Sequence, residues 1–153
     1  MIAIRPYREA DCELLRKIFA RAVSETAIRD YTPEQIRIWA APPLDFAERL
    51  IGRPTFVAEL DGEIAGFSDV DDCGHIDFLY VNPDFQRRGI ATALLTFIID
   101  RARRTGMPLL SSDVSVTARV TFERAGFKVR KPQTVIVNDC AFLNFVMDRS
   151  SGF

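Results

Sequence analysis

An extended apolar run, Phe78-Leu79-Tyr80-Val81, halts at Asn82-Pro83 and passes through Asp84-Phe85-Gln86-Arg87-Arg88-Gly89 into Ile90-Ala91. This junction constrains the fold more than any other stretch, because proline cannot continue a strand ladder and the chain must turn at once into a helix. The helix is announced by Ala91, Leu94, Leu95, Ile98 and Ala102, which recur at the three- and four-residue spacing of one buried face. It begins near Gly89. Its first turn has N–H groups without intrahelical partners and the positive end of the helix dipole, so backbone donors would bind a phosphate placed there. Gly89 removes the side chain that would obstruct a close approach, and Arg87 and Arg88 add two cations. The same spacing also fits a plain strand-to-helix turn with two solvated arginines.

The remaining chain bounds the choice. Its 153 residues suit one domain, expected over residues 1–149 with a short tail at 150–153, and suffice for a sizeable core. A hydrophobic share of 48%, a charged share of 27% and a net charge of −1 argue against general affinity for nucleic acid or an anionic membrane. No apolar stretch approaches the roughly 20 residues of a membrane span, and Met1-Ile2-Ala3-Ile4-Arg5-Pro6 lacks a basic leader, so a cytoplasmic location is expected. Cys12, Cys73 and Cys140 are widely spaced and form no Cys-x-x-Cys pair, which suggests neither a disulfide framework nor a metal site.

Along the chain, residues 3–5 read as a strand, and Asp11 is placed to cap a helix with the stripe Leu15, Ile18, Phe19 and Ala22. Thr32-Pro33-Glu34-Gln35 has the composition of a capping box with proline at the first helical position, and residues 44–50 form a further short helix after Pro42-Pro43. Three strands follow, over residues 55–60, 64–70 and 75–81, joined by Asp61-Gly62 and by an acidic turn that reads as solvated. After the Gly89 helix come a strand at 109–114, a helix at 117–125 ended by Gly126, a strand starting at 127–129, and a hairpin of 134–137 with 141–147. This order specifies a mixed α/β, mostly antiparallel sheet of about seven strands with helices on both faces.

That order, with Leu79-Tyr80-Val81-Asn82-Pro83 and then Gln86-Arg87-Arg88-Gly89-Ile90-Ala91, resembles the GNAT superfamily of acyl-CoA-dependent N-acetyltransferases. The second stretch is similar to the family's acyl-CoA signature, and Phe122-Glu123-Arg124-Ala125-Gly126-Phe127 resembles its later helix-to-strand signature. The resemblance implies acetyl-CoA as cosubstrate, with its pyrophosphate on the N–H groups of Arg87, Arg88, Gly89, Ile90, Ala91 and Thr92, beside Gln86. It implies that Leu79, Tyr80 and Val81 offer backbone groups to the pantetheine arm, with Ser115 at a position where the family often has an arm-contacting asparagine. Ser115 is equally placed to cap the following helix.

Family members often place a base on the strand at 75–81. Asp77, polar within an apolar run, is the first candidate and His75 the second. Phe122 stands where the family commonly has a tyrosine that protonates the leaving thiolate; phenylalanine has no proton to give, which leaves Tyr80, Ser111 and Ser112 as candidate donors. The first two helices, with Arg29, Asp30, Tyr31 and Trp39, are expected to roof the acceptor site. Expected partners are acetyl-CoA and a primary amine, with a homodimer left open. The alternative function is a non-catalytic acyl-CoA-binding module, since Phe122 is what a degenerate enzyme shows. Neither nucleotide-binding glycine motif, Gly-x-x-x-x-Gly-Lys-Ser/Thr or Gly-x-Gly-x-x-Gly, is present.

Overall fold

The predominantly apolar runs Thr55–Leu60 (β2) and Glu63–Asp69 (β3) form an antiparallel hairpin. Its turn at Asp61 and Gly62 has φ of 53° and 83°, the left-handed geometry of a two-residue connection. The computed structural model describes residues 1–152. Ile2–Pro6 (β1) pairs antiparallel with β2, and Leu79–Val81 (β5) pairs antiparallel with β3, giving one four-stranded half-sheet in the order β1-β2-β3-β5. The second half-sheet has the order β4-β6-β8-β7, from His75–Ile76 (β4), Leu109–Ser115 (β6), Lys128–Val137 (β7) and Cys140–Ser150 (β8). Among the described residues only β4 and β6 run parallel, through His75 with Ser111 and Ile76 with Ser112.

The single strand expected at 75–81 is therefore two strands. The side-chain carboxylate of Asp69 accepts the N–H groups of Asp77 and Phe78 at 2.8 and 2.9 Å, so neither donor is left for a ladder. Before the break the chain follows β6, and after it the chain follows β3, so the two half-sheets splay apart between β5 and β6. Asp69, which stands with Asp71 and Asp72 in the acidic run that reads as solvated in the sequence, is itself fully buried.

Cys12–Arg21 (α1) presents Leu15, Ile18 and Phe19 to the core as its stripe predicts. Asp11 does not cap it through its side chain; the carboxylate instead accepts from the Arg8 N–H at 2.8 Å and from both terminal nitrogens of Arg5 at 2.9 Å. The helix widens into a π-helical turn, Ala22–Thr26. Pro33–Trp39 (α2) carries the expected capping box, with the Gln35 N–H donating to Thr32 Oγ1 at 3.2 Å and the Thr32 N–H donating to Gln35 Oε1 at 2.8 Å. Phe46–Gly52 (α3), Ile90–Thr105 (α4) and Arg119–Arg124 (α5) complete the helices.

Helices cover both faces. On one, α1 to α3 bury Leu15, Phe19 and Phe46 against Phe67 and Phe78; on the other, α4 and α5 bury Leu95, Ile98 and Phe122 against Ile76, Leu110 and Met147. Each such side chain stabilises the fold by about 1.5–3 kcal/mol. Gly66 is required where β3 meets β5 and α4, because a Cβ there would lie 2.7 Å from the Tyr80 carbonyl oxygen and 2.9 Å from Ile90 Cγ2.

The closing strands also differ from expectation. The strand begun at 127–129 and the run at 134–137 are one strand, β7, bulged between Val129 and Lys131 beside Pro132. It lies at the sheet edge, where a missing N–H is tolerated. The boundary expected at 149 falls within β8, and Ser151 is buried, its N–H donating to the Pro108 carbonyl at 3.0 Å and its carbonyl accepting from Arg103 Nε at 2.7 Å.

Candidate active site

After β5 the chain makes a short 3₁₀ turn, Pro83–Phe85, capped by Asn82, whose side-chain oxygen accepts the Asp84 N–H at 3.0 Å. Arg21 reaches across from α1 to bind Asp84 at 3.0 Å, and Gln86 Nε2 donates to Thr26 Oγ1 at 3.1 Å, so the turn is tied to the π-helical segment. Arg87 and Gly89 then take positive φ values of 60° and 79°, and the first bond of α4 is Ala93 N–H to Gly89 carbonyl at 3.0 Å. Among the described residues no backbone or side-chain acceptor receives the N–H groups of residues 87–92. Left-handed and helical residues in succession turn such donors toward one point and form an anion-binding concavity. Arg87 and Arg88 are exposed and make no ion pair among the described residues, whereas Ile90 is buried and anchors the helix start.

Two cavities meet in the splay. The smaller, about 180 Å³, runs from Gln86 and Ala91 between Leu79, Tyr80 and Val81 on one side and Ser115, Thr117 and Ala118 on the other. The larger, about 740 Å³, opens under α2 between Asp77, the end of β6 and the β7–β8 hairpin. Trp39, Leu79, Tyr80, Ser115 and Ala118 line both and so mark the junction.

At that junction the Tyr80 hydroxyl accepts from Trp39 Nε1 at 3.2 Å, which leaves its own proton free to donate. Burial pushes its phenol well above the usual range. Asp77 stands on the wall of the larger cavity with its carboxylate 3.3 Å from Arg49 Nη1. The chain break interrupts the alternation that would have put residues 75, 77, 79 and 81 on one face: Ile76 and Leu79 pack on the α4 side with Leu95, whereas Phe78 and Tyr80 pack with Phe19 on the other. His75 lines neither cavity; its Nδ1 lies 3.0 Å from Ser111 Oγ. Ser112 spends its proton on the Ile76 carbonyl at 2.7 Å, holding β4 to β6.

Ser115 Oγ accepts the Ala118 N–H at 3.1 Å and so holds the turn that precedes α5; it does not cap the helix, whose N-cap residue is Ala118 with no side-chain cap. Phe122 borders the larger cavity, but its ring is buried and packs edge-on to Phe127 with centroids 5.0 Å apart. Of Arg29, Asp30, Tyr31 and Trp39, the last two line the larger cavity and the first two do not; Tyr31 and Trp39 stand in edge-to-face contact at 5.0 Å, and the Tyr31 hydroxyl accepts the Val116 N–H at 2.9 Å. Arg49, Asp113 and Asn144 are wall residues that the sequence reading passed over. For Asn144 a signal existed, a polar residue inside an apolar run, the same signal that drew attention to Asp77.

Comparison with known proteins gives a consistent picture. Residues 27–149 match the family model described as acetyltransferase (GNAT) domain. The chain is 38% identical over 148 residues to the uncharacterized N-acetyltransferase YafP of Escherichia coli K12, covering 95% of this chain and 94% of that protein. Among solved structures, a GCN5-related N-acetyltransferase from Rhodopseudomonas palustris superposes with a TM-score of 0.92 at 33% identity, covering 97% of this chain and 94% of the other. The acetyltransferase yncA of Salmonella typhimurium, solved with acetyl-CoA, shares the fold with a TM-score of 0.69 at 22% identity, covering 100% and 95%.

Proposed function

The chain belongs to the GNAT acetyltransferase family, and on that premise we propose that it transfers the acetyl group of acetyl-CoA to a primary amine by direct attack in a ternary complex. The observation that carries this reading is the run of unpaired N–H groups at residues 87–92, opening at the mouth of a split strand. Six backbone donors, the positive end of α4 and the two unpaired guanidinium groups of Arg87 and Arg88 suit a pyrophosphate. From there the smaller cavity leads along Leu79, Tyr80 and Val81, where an extended arm can take backbone hydrogen bonds as an added strand would.

Acetyl-CoA supplies an activated acyl group, and the chain supplies position and proton traffic. Trp39, Leu79, Tyr80, Ser115 and Ala118 enclose the junction at which the two substrates meet. Tyr80 is the proton donor for the departing thiolate: its oxygen is fixed by Trp39, its proton is uncommitted, and its raised pKa keeps it protonated at neutral pH. Asp77, on the acceptor side, takes the ammonium proton through water, whereas His75 lies outside both cavities. No cysteine lines either cavity among the described residues, in keeping with direct transfer and no acyl-enzyme.

The phenylalanine at position 122, which has no proton to give where the family commonly has tyrosine, favours a second reading as a non-catalytic acyl-CoA-binding module. One experiment addresses both. Calorimetric titration of acetyl-CoA is expected to show binding that Arg88→Glu weakens on the order of tenfold, and a thiol assay is expected to show amine-dependent release of CoA. Equal affinity in the variant overturns the cradle, and binding without release under any amine selects the module.

A further inference from the structure

The larger cavity has a composition that selects among amines. Its charged wall residues among the described residues are Arg49, Asp77 and Asp113, two carboxylates against one guanidinium. Arg49 is already engaged, 3.3 Å from Asp77 and 3.4 Å from Asp45, with its guanidinium carbon 5.8 Å from the centroid of the Phe78 ring. Arg49 is thus shared between two carboxylates of the chain itself, and the charged wall residues sum to a net negative charge. Asp113 is exposed, with one oxygen bonded to Gln133 at 3.2 Å and negative charge left over.

The rest of the wall is mostly apolar and aromatic. Tyr31 stands between Trp39 and Phe142, at centroid distances of 5.0 and 6.3 Å, under α2 and against the hairpin. Aromatic faces beside carboxylates attract an ammonium through both its charge and its apolar body. The volume, about 740 Å³, lies in the range of small-molecule sites.

We propose that the acceptor is a small primary amine with an aromatic or apolar body and no carboxylate, bound as the ammonium between the aromatic roof and the Asp77–Asp113 side of the cavity. This rests on the acetyltransferase reading. A carboxylate on the same skeleton would face Asp77 and Asp113 with only the already shared Arg49 to answer it, and like-charge juxtaposition across a site discriminates against such a ligand.

The test uses 2-phenylethylamine and L-phenylalanine, which differ by one carboxylate. The amino acid's less basic amine is more available in the free form but less nucleophilic, so the two effects largely offset, and the change in the ratio on Asp113→Asn isolates the contribution of the wall. The expected result is acetylation of 2-phenylethylamine with kcat/KM at least about tenfold above that for L-phenylalanine, and a smaller ratio in Asp113→Asn with unchanged acetyl-CoA affinity. Equal or better use of L-phenylalanine overturns the proposal, as does a ratio unaffected by Asp113→Asn. Calorimetry on the same protein separates the two levels. Acetyl-CoA binding with neither amine acetylated overturns the acceptor class alone, and absence of acetyl-CoA binding overturns the acetyltransferase reading beneath it.

Discussion

On the proposed reading, Phe122 and Tyr80 divide between them what the family usually gives to one residue. Phe122 holds the position of the acid and is a core ring, 2% exposed and stacked edge-on to Phe127. Tyr80 holds a strand position, yet its hydroxyl reaches the junction of the two cavities and is fixed there by Trp39. Deleting only that hydroxyl, in Tyr80→Phe, should cost about 1 kcal/mol of stability through the lost Trp39 bond. It should lower kcat by about a hundredfold, the lower end of what a positioned acid contributes, with acetyl-CoA affinity nearly unchanged. Steady-state kinetics beside calorimetry checks this, and a wild-type kcat would mean the thiolate leaves without help from Tyr80. The silence of Phe122 was legible in the sequence because it follows from side-chain chemistry alone. The reach of Tyr80 was not, because it depends on Trp39, 41 residues away.

At the level of elements, the split between β4 and β5 is the feature that makes a site, and one carboxylate holds it. Asp69 Oδ1 takes two consecutive backbone N–H groups, while Oδ2 has no hydrogen-bond partner and sits 3.6 Å from Arg53 Nε. The apolar pattern of 75–81 is continuous, so period-two reasoning yields one strand; nothing local records that a buried side chain six residues upstream of the strand's start withdraws donors from it. By contrast the α4 start, the capping box of α2 and the β2–β3 turn were read correctly, because local residue chemistry decides them.

Burial raises the Asp69 carboxyl from 3.8 to about 6, outweighing its backbone donors and Arg53. A raised pKa means that the folded state keeps a proton the unfolded chain releases, so the stabilisation from this group is complete below about pH 4 and is lost as pH rises through 6. A shift of about two units corresponds to about 3 kcal/mol. Asp69→Asn retains an oxygen for the two N–H groups and removes the ionisation. Urea unfolding of both proteins at pH 4 and pH 7 should therefore show the wild type losing about 2.4 kcal/mol relative to the variant as pH rises, since the unfolded carboxyl is already partly ionised at pH 4. A difference that does not move with pH would mean that the carboxylate does not titrate in this range.

The whole molecule is two half-sheets joined by little more than the break at Asp77-Phe78 and the helices packed across it. The element order was readable because each helix and strand declares its own period, and that order carried the family resemblance. The cavities were not, since their walls gather residues from α1, α2, β5, β6 and the β7–β8 hairpin that no short-range pattern links. A ligand seated along β5 and β6 would bridge the half-sheets where the protein itself leaves them unpaired. Binding to the folded state alone stabilises it by about 2.7 kcal/mol at a hundredfold excess over Kd. For a chain of 153 residues that is a rise in Tm of about 5–10 °C. Amide exchange should slow at residues 87–92 and along Leu79–Val81, the donors now without partners and the strand edge facing the gap. An ordinary stabilising ligand could raise Tm from any surface; only occupancy of the splay protects these two segments together, so a raised Tm with exchange unchanged there would place acetyl-CoA somewhere other than the split sheet.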